Sequence, residues 1–366
     1  MRVLVVGMTF NPGGIESVIM EHYRKIDRTK IQFDFIITDE HMAYENEAIA
    51  LGARIYHIHS RHDNVRLFYA DLDAFMAMHA SEFGAIWVNL CNLINLNWLK
   101  YAKKYGIPKR IIHCHNSKNM DDALHGFVHV INRQKVRKYA TDFWTCSEDA
   151  IDWFYGKGIR KEPGYLYIPN AINPLDCQFD STIRLKVRND MQWNNKIILG
   201  NVGRLHSQKN QGFLIHSLST LLKSDSRYKL VLIGDGEERE SLEREIILLG
   251  LEDSVELLGM RKDIKQLYQG LDVFLLPSLY EGVSIALLEA QANGLPCLIS
   301  DTQSSAGIVN NNVVRLPISE GNEKKWTKAV VDLGDNPQRA VENNIPGSKY
   351  DLNEQINDFE RRILMR

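Results

Sequence analysis

Residues 196–236 read KIILGNVGRLHSQKNQGFLIHSLSTLLKSDSRYKLVLIGDG, and this stretch decides the fold. It opens on an apolar run, KIILGNVG, that ends in glycine. YKLVLIGDG closes it in the same way. Between them GFLIHSLSTLLK carries apolar residues at helical spacing. Strand, helix and strand in this order are the unit of a parallel sheet, and near-continuous apolar strands belong to a sheet covered on both faces.

The rhythm continues on either side. Downstream lie the strands SVELLG, DVFLLP and PCLIS, spaced by the helical patterns ERESLEREIILLG, DIKQLYQG and SIALLEAQANG. Upstream, RVLVVG, QFDFIIT, ARIYHIH, AIWVNL, KRIIHCHNS, DFWTCS and YLYIPNAIN alternate with helical segments from GGIESVIMEHYRKI onward. The expected fold is α/β, with two doubly wound Rossmann-like domains facing across a cleft. Periodicity lapses in IPNAINPLDCQFDS, so the domain boundary is placed there. This gives an N-terminal domain over 1–172 and a C-terminal domain over 173–345. The pattern weakens over 322–347. DLNEQINDFERRILMR is amphipathic, and the helix within 346–366 is expected to pack back on the first domain. In open α/β sheets ligands bind at the carboxyl ends of the strands.

Composition narrows the class. The 366 residues suffice for two cores, and 44% hydrophobic with 25% charged residues is ordinary for a globular chain. A net charge of -2 gives no reason to expect a nucleic-acid partner. The five cysteines show no C-x-x-C spacing, which suits free thiols in a reducing compartment. MRVLVVGMTFNPGGIES reads as a first strand rather than a signal segment. No apolar run approaches the roughly 18 residues that span a bilayer. The expected location is the cytoplasm, with contact at the inner membrane face open.

Two places look suited to phosphate. Gly13-Gly14 follows the first strand and opens a helix, where backbone N–H groups can approach an anion, although a plain tight turn would look the same. In NVGRLHSQKN, Arg204 and Lys209 follow the end of a strand, where two cations suit a diphosphate. The alternative is an exposed basic loop. Gly234-Asp235-Gly236 lacks the full dinucleotide fingerprint and reads as a structural turn. In YEGVSIALLEAQANGLPCLISD, residues 280–301, a helix is expected from about Val283. That would free the amides of Gly282, Val283 and Ser284 for a phosphate. Glu281 and Glu289 stand eight positions apart, within about 80° on a helix, too far for a carboxylate dyad but able to grip two ends of one extended ligand. A nucleotide sugar has that shape.

Arg204 with Lys209, followed by Glu281-x7-Glu289, resembles glycosyltransferase family 4, whose members are retaining enzymes of the GT-B fold. The resemblance spans most of the chain. Gly13-Gly14-Ile15-Glu16 is similar to the family's glycine loop, HCHNS to its histidine segment, CSEDA to its serine turn and IPNAIN to its interdomain crossing. LGMRKDIKQLY, DVFLLPSLYEG and EAQANGLPCLISD follow in order, and the last stretches are most similar to the branch that builds capsule or exopolysaccharide. The resemblance implies that Arg204 and Lys209 bind the donor diphosphate and that Glu289 holds the ribose. It implies that Glu281 contacts the donor sugar and that His115 stands near the anomeric centre as a catalytic group. Gly14 would let its loop approach phosphate and acceptor. Gly259, Met260 and Arg261 would line the base. The implied reaction transfers a hexose from a UDP-linked donor to a saccharide or lipid-linked acceptor, without metal or cofactor. Ala171 and Asn173 replace the usual Gly and Asp of the crossing, and Val283-Ser284 departs from the commonest pattern of the sugar pocket.

Other readings compete. His113 and His115 share a strand face and invite a metal, but lack a third ligand. Asp71-Leu72-Asp73 resembles a D-x-D metal site yet lies in an amphipathic helical pattern, which favours surface charge. The basic groups Lys100, Lys103, Lys104, Lys109, Arg110 and Arg133, Lys135, Arg137, Lys138 read as solvated faces or as a weak site for anionic lipid. Trp144, Trp153 and Phe154 read as core. Alternative functions are a nucleotide-sugar epimerase or phosphorylase of the same fold, or a non-catalytic nucleotide-sugar-binding regulator.

Overall fold

The computed structural model describes residues 1–10, 12–115, 123–148, 151–319, 321–334, 339 and 343–365. The chain divides into two compact units, one of Met1–Asn170 with Leu352–Arg366, the other of Ala171–Asp351.

The first unit is a seven-stranded parallel sheet. Its strands are β1 (Arg2–Val6), β2 (Gln32–Ile37), β3 (Ile55–His57), β4 (Phe83–Leu90), β5 (Lys109–Cys114), β6 (Asp142–Thr145) and β7 (Tyr165–Tyr167), in the order β3-β2-β1-β4-β5-β6-β7. Side chains alternate between two cores. Leu4 and Val6 join Phe68, Leu72, Trp98 and Leu99 on one face, while Val3 and Val5 join Tyr23, Phe33 and Trp87 on the other. The helix Leu352–Leu364 belongs to this unit. It buries Phe359 and Ile363 in the second of these cores, at roughly 1.5–3 kcal/mol each.

The second unit is a six-stranded parallel sheet of β8 (Ile197–Val202), β9 (Tyr228–Ile233), β10 (Val255–Gly259), β11 (Val273–Leu276), β12 (Cys297–Ser300) and β13 (Val313–Leu316), ordered β10-β9-β8-β11-β12-β13. β8 is buried throughout, as its apolar run requires. Leu199 packs on one face with Leu214, Leu230 and Trp326, and Ile198 on the other with Trp193, Tyr268 and Leu287. This unit extends past 345 because Ile345 and Tyr350 share a small core with Ile172, Val283 and Leu288. Ile172 N donates to Tyr350 O at 3.0 Å.

Both sheets have the doubly wound order. In each, the chain winds outward on one side and then returns to wind the other way, which leaves a switch point between β1 and β4 and between β8 and β11.

Candidate functional site

In the second unit the loops leaving β8 and β11, over 203–210 and 277–284, depart side by side because the strands are neighbours. They are tied together. Leu279 N donates to Gln208 O at 2.8 Å, and Gln208 Nε2 to Tyr280 O at 2.8 Å. Asn210 Nδ2 donates to Pro277 O at 3.3 Å. Asn210 sits at φ 56, a left-handed conformation that asparagine tolerates, and there the short turn Ser207–Lys209 gives way to the helix Gln211–Leu221.

Lys209 and Glu281 meet across these loops. Lys209 Nζ lies 2.5 Å from Glu281 Oε1, and Ser278 Oγ donates to the same oxygen at 3.0 Å. The side chains are 18% and 11% exposed, so the pair is shielded yet reachable. The Lys209 stem runs along Gly203, where a Cβ would stand 3.2 Å from Lys209 Cε. Ser278 is itself buried. Its carbonyl accepts from Ser300 Oγ at 2.5 Å and Thr302 Oγ1 at 3.2 Å, which holds the second loop from behind.

The helix after this loop runs Ile285–Ala292, with Ser284 as its N-cap, Oγ accepting from Leu287 N at 3.4 Å. This corrects the expected start at Val283. Residues 281–284 are not helical, so the eight-residue helical estimate does not describe the Glu281 to Glu289 separation. Val283 turns its side chain into the core beside Leu288, which leaves only its backbone for any ligand. Gly282 is partly exposed between them. Glu289 accepts from Tyr268 OH at 3.1 Å. Burial, and then the Glu289 charge, raise the Tyr268 phenol well above its usual pKa, so it stays a donor.

Arg204 is largely exposed and touches Glu237 at 3.3 Å, a contact worth at most about 1 kcal/mol. It is therefore easily redirected. Met260 is exposed at the end of β10, and Arg261 is locked in a two-point pair with Asp263 at 2.8 and 2.6 Å. The Gly234-Asp235-Gly236 turn is packed rather than open: a Cβ at Gly234 would run into the Gly203 carbonyl, and one at Gly236 into the Leu205 carbonyl.

In the first unit the glycine loop ends β1. Gly13 precedes the helix Gly14–Lys25, and its N–H donates to Glu16 Oε2 at 3.0 Å. Glu16 Oε1 also takes Thr9 Oγ1 at 2.6 Å, and burial raises its pKa against those bonds. A Cβ on Gly14 would meet nothing within 4 Å, so packing does not demand glycine there.

His115 follows β5 directly and its N–H bonds Leu90 O at 3.1 Å. Asn89 Nδ2 donates to Val6 O at 3.2 Å, which turns Asn89 Oδ1 toward His115. His115 Nε2 therefore carries the hydrogen in its 2.8 Å bond to Asn89, and Nδ1 is the acceptor. Desolvation, with His22 second, lowers His115 to about 3, so the ring is neutral at pH 7. His113 is buried between Trp87, Trp144 and His115, and neither ring nitrogen has a hydrogen-bond partner among the described residues. Asn116 and Ser117 of HCHNS, and Asp149 and Ala150 of CSEDA, lie outside the described residues.

Among the described residues no three His, Cys, Asp or Glu side chains converge as a metal-ligand set, and no helix is long and apolar enough to cross a membrane. Asp71 and Asp73 are engaged on the surface, with His59 at 2.6 Å and Lys104 at 2.6 Å. Trp144 is core, and Trp153 stacks on His129. Reading the sequence did not single out Asn89, Ser278, Tyr268 or Gln208. For Asn89 the signal was there: a lone amide near the end of the apolar strand AIWVNL.

Residues 184–345 match the family model described as glycosyl transferases group 1. The chain is 32% identical over 341 residues to EpsF of Bacillus subtilis (strain 168), named as a glycosyltransferase, covering 87% of this chain and 84% of that protein. It is 33% identical over 146 residues to the UDP-Gal:alpha-D-GlcNAc-diphosphoundecaprenol alpha-1,3-galactosyltransferase of Escherichia coli, covering 38% and 37% of the two. In fold it is similar to Anabaena HepE, solved in complex with UDP and glucose, with a TM-score of 0.77 at 18% identity over 99% of this chain and 98% of that one. Two Rossmann-like units of the GT-B class, the family match and the near full-length likeness to EpsF agree: the chain belongs to the glycosyl transferases group 1 family.

Proposed function

We propose that this glycosyltransferase moves a hexose from a UDP-linked donor to a saccharide or lipid-linked acceptor in the building of a surface polysaccharide, with retention at the anomeric carbon and without a metal. The observation that carries this reading is the Lys209–Glu281 pair, held on the two loops of a switch point, with Glu289 on the helix that follows. Lys209 has three N–H donors and spends one on Glu281, so it can also meet a phosphate. Arg204 turns from Glu237 to the same diphosphate, and the amides of Gly282, Val283 and Ser284 offer it further donors. Together these charges stabilise the nucleoside diphosphate as it leaves. Glu289, oriented by Tyr268, receives the ribose hydroxyls, and Met260 and Arg261 line the base. Glu281 contacts the sugar.

In the first unit Gly14 leaves room for phosphate or acceptor at its loop. His115, neutral and with its tautomer set by Asn89, polarises the reacting sugar rather than offering a charge. The leaving phosphate takes the acceptor proton, and attack comes from the same face. The names of the Escherichia coli relative and of the HepE complex, both with uridine nucleotides, support the choice of donor.

A panel of nucleotide sugars tests the reading. The right donor should stabilise the chain against heat and, with an acceptor, yield a new glycosidic bond. A donor that is rearranged with no transfer, or a panel with no ligand in it, contradicts it.

A further inference from the structure

A concavity of about 220 Å³ opens on the first unit. Arg61, Lys100 and Lys135 line it, from the loop after β3 and the helices Asn97–Lys104 and Ala123–Tyr139. All three cations are exposed, and none of their side chains forms an ion pair or hydrogen bond with another described residue. Nearby basic groups behave differently. Lys104 pairs with Asp73 at 2.6 Å, Lys109 with Asp142 at 3.1 Å and Arg137 with Glu162 at 3.0 Å, while Arg110 Nε donates to Tyr139 O at 2.6 Å. Three of these neighbours thus carry a carboxylate partner and Arg110 a carbonyl, whereas the side chains of Arg61, Lys100 and Lys135 carry neither among the described residues. No acidic residue is among those lining the hollow.

The walls are fixed. Asn132 Nδ2 donates to Leu93 O at 2.7 Å and Ile94 O at 3.3 Å, tying the loop after β4 to the longer helix. Leu93 is fully buried, and its N–H bonds His129 Nδ1 at 3.1 Å. Three uncompensated like charges held around one hollow repel each other, and a multivalent anion relieves that repulsion best. A single carboxylate would leave two cations unmatched. The volume is below the roughly 300–1,000 Å³ of pockets that enclose a drug-sized ligand, so it suits a charged head group rather than a whole nucleotide.

We propose that this hollow binds a phosphate or diphosphate group, borne either by a soluble molecule or by a lipid head group. The inference stands apart from the donor reading, whose diphosphate contacts lie in the second unit.

Amide hydrogen exchange on the full chain tests it, because segments 91–100 and 131–139 report the hollow separately from 203–209 and 278–289. One arm adds inorganic diphosphate. The other adds phosphatidylcholine vesicles with or without phosphatidic acid. Slowed exchange at 91–100 and 131–139 is expected in at least one arm. The variant Arg61→Gln/Lys100→Gln/Lys135→Gln should need about tenfold or more ligand for the same protection, since three exposed charge contacts of a few-fold each multiply. Protection by free diphosphate alone assigns a soluble ligand. Protection only by vesicles with phosphatidic acid assigns a head group. No protection of these segments in either arm, or equal protection of the triple variant, overturns the proposal.

Discussion

Lys209 Nζ and Glu281 Oε1 stand 2.5 Å apart although 72 positions separate them in sequence, because β8 and β11 are neighbours in the sheet. The carboxylate has two donors, Lys209 and Ser278, so removing its charge does not strip the loop of its hydrogen bonds. Glu281→Gln should leave UDP affinity within about threefold and lower kcat about tenfold or more, the value of a charge-assisted contact. Equal losses in UDP affinity and kcat would make Glu281 a scaffold for Lys209 and remove its contact with the sugar.

Glu289 and Tyr268 form the next link. A charged hydrogen bond to ribose is worth roughly 1.5–3 kcal/mol, so Glu289→Gln should weaken UDP about tenfold or more. Tyr268→Phe removes one neutral donor to that carboxylate and should cost less, within about tenfold. Calorimetry with UDP checks both. Unchanged affinity in Glu289→Gln would end the ribose assignment.

Gly14 separates folding from function. A Cβ there meets nothing within 4 Å, and alanine in a first helical turn restricts the unfolded chain. Gly14→Ala should keep or slightly raise the midpoint of thermal unfolding while reducing transfer. Full activity in this variant would make the glycine incidental.

The buried histidines His22, His113 and His115 should contribute to the acid sensitivity of the first unit. Burial lowers His22 and His113, and lowers His115 to about 3, so all three are neutral in the folded chain at pH 7. In the unfolded chain they titrate near pH 6.5. Between that pH and about 3 the unfolded state holds more protons. Stability contributed by the neutral rings is therefore complete above about pH 6.5 and falls as pH drops, by up to about 1.4 kcal/mol per pH unit for each histidine. Denaturant unfolding followed by Trp87 and Trp144 fluorescence should show this loss, and His113→Phe should reduce it. A slope untouched by that change would place the acid sensitivity elsewhere.

Much of the fold is legible in the sequence because buried parallel strands leave unbroken apolar runs, as KIILGNVG and YKLVLIGDG do. The misses have local causes. β13, VVRL, is four residues long, only partly buried and carries an arginine. The helices Ala123–Tyr139, Ser181–Asp190 and Glu323–Gly334 were not read, since their polar faces dilute the period. Ser181–Asp190 buries one residue, Val187, and its start is marked by the Asp180 cap, whose Oδ1 accepts from Thr182 N at 2.7 Å.

For the site, charge and position were readable and partnership was not. Lys209 and Glu281 were each singled out, yet their pairing depends on sheet order, which no local spacing encodes. Val283 was read for its amide alone. Its side chain, just before the helix Ile285–Ala292, is drawn inward beside Leu288. Asn89 bonds His115, 26 positions away. Such contacts arise only when two strand ends are brought together.

The most direct measurement is calorimetric titration of UDP into the wild-type chain and into Lys209→Ala, both in EDTA. If the paired loops hold a nucleotide diphosphate without metal, the wild type binds UDP saturably in EDTA. Lys209→Ala should then bind about tenfold or more weakly, while its thermal unfolding shows that it remains folded. Binding that appears only when Mg²⁺ or Mn²⁺ is restored, or a Lys209→Ala chain that binds UDP as well as the wild type, would contradict the site.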